Sequence, residues 1–164
     1  MGTVDDIYPE LQKIPWFREL REEHVKKIAE IAFIRHFKVG EIFFREGDQQ
    51  GNVYFVIEGR VALDMFIPHH GKVRFYTAEE GDVVGWSSVT PSIRQRTAGA
   101  VAVIDTVVIG MDAAKLGELC EEDHDLGYLI MQRMANVVAS RLLVTRLQLM
   151  DIFAKPVETR TDEG

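Results

Sequence analysis

Arg94 and Arg96 stand one residue apart near the end of GWSSVTPSIRQRTA, the segment from Gly85 to Ala98. Gly81 and Gly85 lie at or just before its start, and Ser87, Ser88 and Thr97 place hydroxyl groups close to the arginines in sequence. Guanidinium groups make charge-assisted hydrogen bonds to oxyanions, and hydroxyls can add further bonds. The chemistry these residue types suggest is therefore the holding of an anion. The plain alternative is a pair of solvated surface charges. The run that follows, AGAVAVIDTVVIG from Ala98 to Gly110, reads as buried strand.

Other reactive residue types form no pattern. His69 and His70 sit beside Gly71 in a turn, and His24, His36 and His124 do not complete the His-x-His with later Glu and His that a metal-binding barrel requires. No metal site is expected. Cys120 is the only cysteine, so there is no intramolecular disulfide; at a helix end it is expected to be packed, not reactive. No Ser/His/Asp or Cys/His arrangement is suggested. No catalytic residue, and no enzyme, is expected.

Composition narrows the class. The chain has 164 residues, 46% hydrophobic and 27% charged, which fits one globular domain with a sizeable core. With 26 acidic and 19 basic residues, the formal net charge is -7. A phosphate backbone is met by basic surfaces, so nucleic acid is not expected as a partner. No apolar run is long enough to span a bilayer, so no membrane partner is expected. The N-terminus MGTVDDIYPELQK lacks the apolar core of a signal peptide, and a cytoplasmic location is expected.

Three zones position the arginines. Residues 1–32 read as helical, because ELREEHVKKIAEIA places Val25, Ile28, Ala29 and Ala32 at helical spacing. Pro15 interrupts that zone, and Pro15, Trp16 and Phe17 are expected to pack as a small apolar plug. Residues 33–111 read as a β-barrel: FIRHFKV, EIFFRE, NVYFVIEG, RVALDMFI, KVRFYTA and TVVIGM are short strand-like runs separated by Gly, Pro and Asp turns. Residues 112–153 read as helical again, with Asp112 capping a short helix and Asp123 or Asp125 capping a long one. A polar tail, 154–164, is expected to fray. The fold class is mainly β with flanking helices: a jelly-roll (double-stranded β-helix) barrel, N-terminal helices, and a long C-terminal helix.

That long helix is apolar on more than one face. Leu126, Ile130, Met134, Val138 and Leu142 follow one stripe, and Val137, Val144 and Leu147 follow another. A helix lying on one domain needs a single apolar stripe. The second stripe can be covered by the chain's own core or by a second copy of the helix. Parallel pairing into a homodimer is the expectation, with Arg133, Arg141 and Arg146 flanking the seam.

Two motifs resemble the cyclic nucleotide-binding domain family. EGDQQGNVYFVIEGRVAL, Glu46 to Leu63, is similar to its signature of an acidic residue, Gly-Asp, a linker, an aromatic-rich strand and a Gly turn. GDVVG, Gly81 to Gly85, resembles the opening of the family's phosphate-binding cassette, and Arg96-Thr97-Ala98 resembles its close. IPWF and the long C-terminal helix match as well. The resemblance implies a jelly roll with a short cassette helix after Gly85, whose N–H groups and positive dipole end face an anion. It implies that Gly85, Arg96 and Thr97 line a ligand, with Arg96 on a cyclic phosphate; Ser87 or Ser88 can supply a further ligand contact in a different geometry, and Arg94 is expected to be a mostly solvated neighbour, at most an accessory charge.

The family also has a glutamate after the second cassette glycine, which accepts a hydrogen bond from the ribose; here Trp86 stands there and has no acceptor. Losing a hydrogen bond to a charged acceptor costs ~1.5–3 kcal/mol, roughly tenfold to a hundredfold in affinity. Trp86 can line the ligand or plug its pocket. In the catabolite-activator branch a threonine on the long helix touches the base, and Thr145 lies at the matching place. No cofactor is implied beyond a cyclic nucleotide ligand. Transcription factors of the family carry a helix-turn-helix after the long helix, and this sequence stops about a dozen residues beyond it, so a free-standing sensor module is expected. Gly-Trp-Ser in this position resembles a group of stand-alone bacterial domains. Two readings follow: a sensor for a cyclic nucleotide or another phosphate-bearing ligand, or a non-binding domain that acts through a partner protein.

Overall fold

The computed structural model describes residues 3–90 and 92–154. The chain divides into two compact units, Met1–Ile130 and Met131–Gly164. The first opens with three helices, α1 (Val4–Lys13), α2 (Pro15–Arg18) and α3 (Glu22–Ile31). Pro15 takes the first position of α2, where its missing N–H costs nothing. The strands follow: β1 (Ala32–Phe37), β2 (Ile42–Phe44), β3 (Asn52–Glu58), β4 (Val61–Ile67), β5 (Gly71–Ala78), β6 (Val83–Val84), β7 (Gly99–Ala102) and β8 (Thr106–Asp112). A four-residue 3-10 turn, Trp86–Val89, lies between β6 and β7. Helix α4 (Ala113–Glu122) closes the strand region, and α5 (His124–Ala154) runs from the first unit into the second. The tail expected from residue 154 lies, apart from Ala154, outside the described residues.

The strands form two antiparallel four-stranded sheets, β1-β8-β3-β6 and β2-β7-β4-β5. This is the jelly-roll order, built as two facing sheets without a closed ring of hydrogen bonds. Strand β3 explains why NVYFVIE reads as a continuous apolar run and not as an alternating one. It is buried on both faces. Tyr54 packs into the roll edge-on to Phe37 and Phe43, whose rings stack 3.7 Å apart. Phe55 points the other way and meets Trp16 at 5.1 Å and Phe17 at 5.0 Å. The IPWF plug thus fastens the N-terminal helices to the outer face of β3.

The two Gly-Asp pairs build the same turn twice. Gly47 and Gly81 have φ of 85° and 87°. Asp48 Oδ2 accepts from Arg45 N at 2.8 Å, and Asp82 Oδ2 accepts from Glu79 N at 2.9 Å. Each glycine N–H then donates to a distant carbonyl: Gly47 to Arg96 O and Gly81 to Val56 O, both at 2.8 Å. The short side chain of aspartate can bond its local backbone, and glycine supplies the left-handed φ. The first turn holds the end of the cassette and the second holds its beginning.

The corner between α4 and α5 is also set by short-range chemistry. Asp112 Oδ1 caps α4 by accepting from Lys115 N at 3.0 Å, and Asp123 Oδ1 caps α5 by accepting from Leu126 N at 3.1 Å. Of the two caps offered by the sequence, Asp123 is the one used. Its other oxygen meets Lys27 Nζ at 2.9 Å and the buried His24 Nε2 at 3.1 Å, both from α3. Among its described residues the second unit exposes at least half of Leu142, Leu143, Leu147, Leu149, Met150, Ile152 and Phe153. No described helix is long and apolar enough to cross a membrane.

Asp123 generates a pH prediction. Its hydrogen bonds to Lys27 and to Leu126 N–H hold the carboxyl at about 2, below the ordinary 3.8. A folded-state value below the unfolded one means a stabilisation present above about pH 4 and lost as pH falls toward 2. Asp123→Asn keeps a capping oxygen and removes the charge. The urea midpoint of the variant should lie below that of the parent at about pH 6, and the gap should close near pH 2. A gap of constant size across that range would refute this account of Asp123.

Candidate ligand-binding site

Arg96 is fixed first through its backbone. Its N–H donates to Asp48 O at 2.7 Å and its carbonyl accepts from Gly47 N at 2.8 Å. The neighbouring pair Gln49 and Gln95 makes an isolated antiparallel bridge. Arg96 does not lie within a regular strand, because its main chain pairs with the first Gly-Asp turn; β7 begins three residues later, at Gly99.

The side chain runs inward and only 5% of the residue is exposed. Nη2 donates to Asn52 O at 2.7 Å, and Nη1 donates to Gly85 O at 3.2 Å. The Phe44 ring covers one guanidinium face, with its centroid 4.0 Å from Cζ. Nε is buried and makes no hydrogen bond among the described residues. No described carboxylate forms an ion pair with Arg96. Burial pushes the guanidinium pKa down, against opposing contributions from Tyr54 and Asp48. Arginine stays protonated under such a shift. The site therefore holds a buried positive charge balanced by two carbonyl dipoles and a ring face, and Nε is the one guanidinium nitrogen with no bond among the described residues.

Gly85 is required by this packing. Its φ is 80°, and a Cβ there would stand 2.6 Å from Arg96 Nη1 and 3.0 Å from Asn52 O. The cassette segment that follows is a 3-10 turn of four residues, shorter than the helix the family resemblance implied. The partial charge of so short an element is small, so Arg96 supplies most of the positive potential.

The remaining sequence candidates fall into three groups. Ser88 joins Arg96: its hydroxyl donates to Gly85 O at 2.6 Å and reaches Asn52 O at 3.4 Å, the same two carbonyls. Ser87 is buried one residue away, where its hydroxyl accepts from Gln50 Nε2 at 3.1 Å; Gln50 Nε2 also donates to Gln95 O. Trp86 is half-buried at the start of the turn, and Thr97 is exposed. Arg94 is exposed and lines an open groove with Gln49, Gln50, Ser92 and Gln95. Thr145 lies in the second unit, exposed, with its hydroxyl donating to Arg141 O at 2.8 Å one turn back. The turn assigned to Pro91 and Ser92 falls partly outside the described residues, because Pro91 is not among them.

Three participants were missed in the sequence. Asn52 contributes through its carbonyl, which carries no side-chain signal. Phe44 reads as one more apolar strand residue. Gln50 lies within the recognised signature, in its variable linker. Among the described residues, no three His, Cys, Asp or Glu side chains gather as a metal ligand set.

The family model for the cyclic nucleotide-binding domain matches residues 34–123, from within β1 through α4. A candidate cyclic nucleotide-binding protein from Geobacter metallireducens GS-15 superimposes with a TM-score of 0.70 at 27% identity, over 87% of this chain and 99% of that one. A cyclic nucleotide-binding domain from Methylobacillus flagellatus KT gives 0.78 at 20% identity, over 96% of this chain and 88% of that one, and bears on the fold alone. The Pycsar effector protein XpPycTIR of Xanthomonas perforans is 29% identical over 125 residues. That alignment covers 74% of this chain and 37% of the effector, so the chain spans little more than a third of that relative's length. Jelly-roll order, paired Gly-Asp turns, the cassette arginine and the family match agree: the chain belongs to the cyclic nucleotide-binding domain family.

Proposed function

We propose that the chain is a cytoplasmic, non-enzymatic sensor module. It binds a cyclic nucleotide, or another small ligand bearing a phosphate, at the cassette and passes on the bound state through a dimer of α5. The observation that supports this most directly is Arg96, a buried guanidinium with no carboxylate partner among the described residues and a spare Nε–H. Burying a charge without a counter-charge is costly, and an anion bound beside it offsets that cost. In this reading the phosphate meets Arg96, and Ser87 and Ser88 offer hydroxyl oxygens to the sugar. Ser88 already donates to Gly85 O, but a hydroxyl keeps lone pairs that can accept. These contacts replace the acceptor that Trp86 lacks, and affinity for cyclic AMP is micromolar or weaker.

A second reading has its own support. The bonds from Arg96 to Gly85 O and Asn52 O tie the cassette turn to β3 whether or not a ligand is present. Arg96 is then a strut, Trp86 closes the pocket, and the domain works as a protein-interaction module.

Titration calorimetry with cyclic AMP, cyclic GMP and inorganic phosphate separates the two. Arg96→Ala should abolish binding, Arg94→Ala should weaken it slightly, and Trp86→Glu should strengthen binding of the cyclic nucleotides by roughly tenfold. Equal affinity in Arg96→Ala and the parent would exclude Arg96 as the ligand residue. In a thermal-shift panel, a ligand at 100 times its Kd should add ~2.7 kcal/mol of stability.

The dimer rests on the apolar width of α5 and on the exposed leucines, Met150, Ile152 and Phe153 of the second unit. Replacing Val137 and Val144 together with glutamate puts like charges into the seam. Light scattering should show a dimer for the parent and a folded monomer for the double variant. A monomeric parent at micromolar concentration would rule the dimer out.

A further inference from the structure

We infer that Phe44 is the positioning residue for Arg96: its ring fixes the guanidinium plane so that an oxyanion meets the in-plane Nε edge. This rests on the reading of the cassette as an anion site. A planar group is oriented by two in-plane tethers and one face contact. The tethers are Nη1 to Gly85 O and Nη2 to Asn52 O, and the face contact is the Phe44 ring at 4.0 Å. An oxyanion engaging Nε–H and an adjacent Nη–H makes two parallel bonds in the guanidinium plane. The covered face is closed to any stacking group of the ligand.

Local backbone geometry aims the ring. In a regular strand Ile42 and Phe44 would share a face. The register of β2 against β7 shifts between these two residues. Such irregularities turn side chains away from the regular pleat and recur beside binding sites. Phe43, between them, points into the roll and stacks on Phe37. Phe44 packs against the same core and also reaches the cassette, where its Cε1 lies 3.3 Å from the point a Gly85 Cβ would occupy. An aliphatic side chain at position 44 could fill this space, but it would bring neither the flat surface nor the negative ring face that a cation requires.

The test uses the full chain labelled with nitrogen-15, and reads the Arg96 Nε–H signal by NMR, identified by its loss in Arg96→Lys. A proton over a ring face is shifted upfield, so this signal should lie upfield of the other arginines. Phe44→Leu should return it to their range, and Phe44→Tyr should leave it in place. Calorimetry with cyclic AMP and with inorganic phosphate should show about tenfold weaker binding for Phe44→Leu and parent-like binding, within about twofold, for Phe44→Tyr. Thermal melts confirm that each variant is folded. An Arg96 signal indifferent to Phe44→Leu, or a folded Phe44→Leu that binds like the parent, overturns the role of Phe44. If the signal follows Phe44 as expected while the parent binds neither anion, the ligand reading fails and Phe44 stands as the residue that orients Arg96.

Discussion

One buried positive charge organises the cassette end of this fold. Arg96 cannot shed its proton and has no described carboxylate to pair with, so its surroundings must supply negative potential from neutral groups. Two main-chain carbonyls and an aromatic ring do so. Each demand on the surroundings fixes a piece of backbone. Gly85 must lack a Cβ so that its carbonyl can approach, the start of β3 must turn the Asn52 carbonyl toward the cassette, and β2 must depart from its regular register to present Phe44. These are constraints imposed by electrostatics on geometry, and they account for the placement of residues that look unremarkable in isolation.

The architecture was legible where a residue type has a backbone consequence. The Gly-Asp pairs, Pro15 as a break in the N-terminal helical zone and Asp112 as a cap each carry a local rule, and each appears in the structure as that rule requires. The jelly roll followed from strand spacing and from the family resemblance, and its strand order agrees. The two-residue strand β6 is too short for any periodicity to show. The choice between Asp123 and Asp125 depended on α3, since Lys27 and His24 are distant in sequence and neither is signalled by a helix-start pattern.

The candidate site was less legible, for a physical reason. Arg96 could be named because charge is conspicuous in a sequence. Its partners could not, because two of them are carbonyl oxygens common to every residue and the third is a phenylalanine among many apolar neighbours. The short cassette element was expected to be a helix with a useful dipole and is a single 3-10 turn. Helical spacing cannot be read from four residues. The hydroxyls of Ser87 and Ser88 were singled out as polar groups of the cassette, but their bonds to Gln50 and Gly85 O depend on three-dimensional approach.

The pair of Gly-Asp turns bears on how such a site can diversify. They clamp the cassette at both ends, at Gly81 through Val56 and at Arg96 through Gly47 and Asp48. A loop closed by its own anchors tolerates insertions, because doubling its length adds only about 0.6 kcal/mol of closure entropy. Residues added or removed between Val89 and Arg94 would reshape the groove that Ser92 and Arg94 line, with both anchors outside the changed segment. The length of this segment can therefore vary with the rolled sheets and the buried arginine inherited intact.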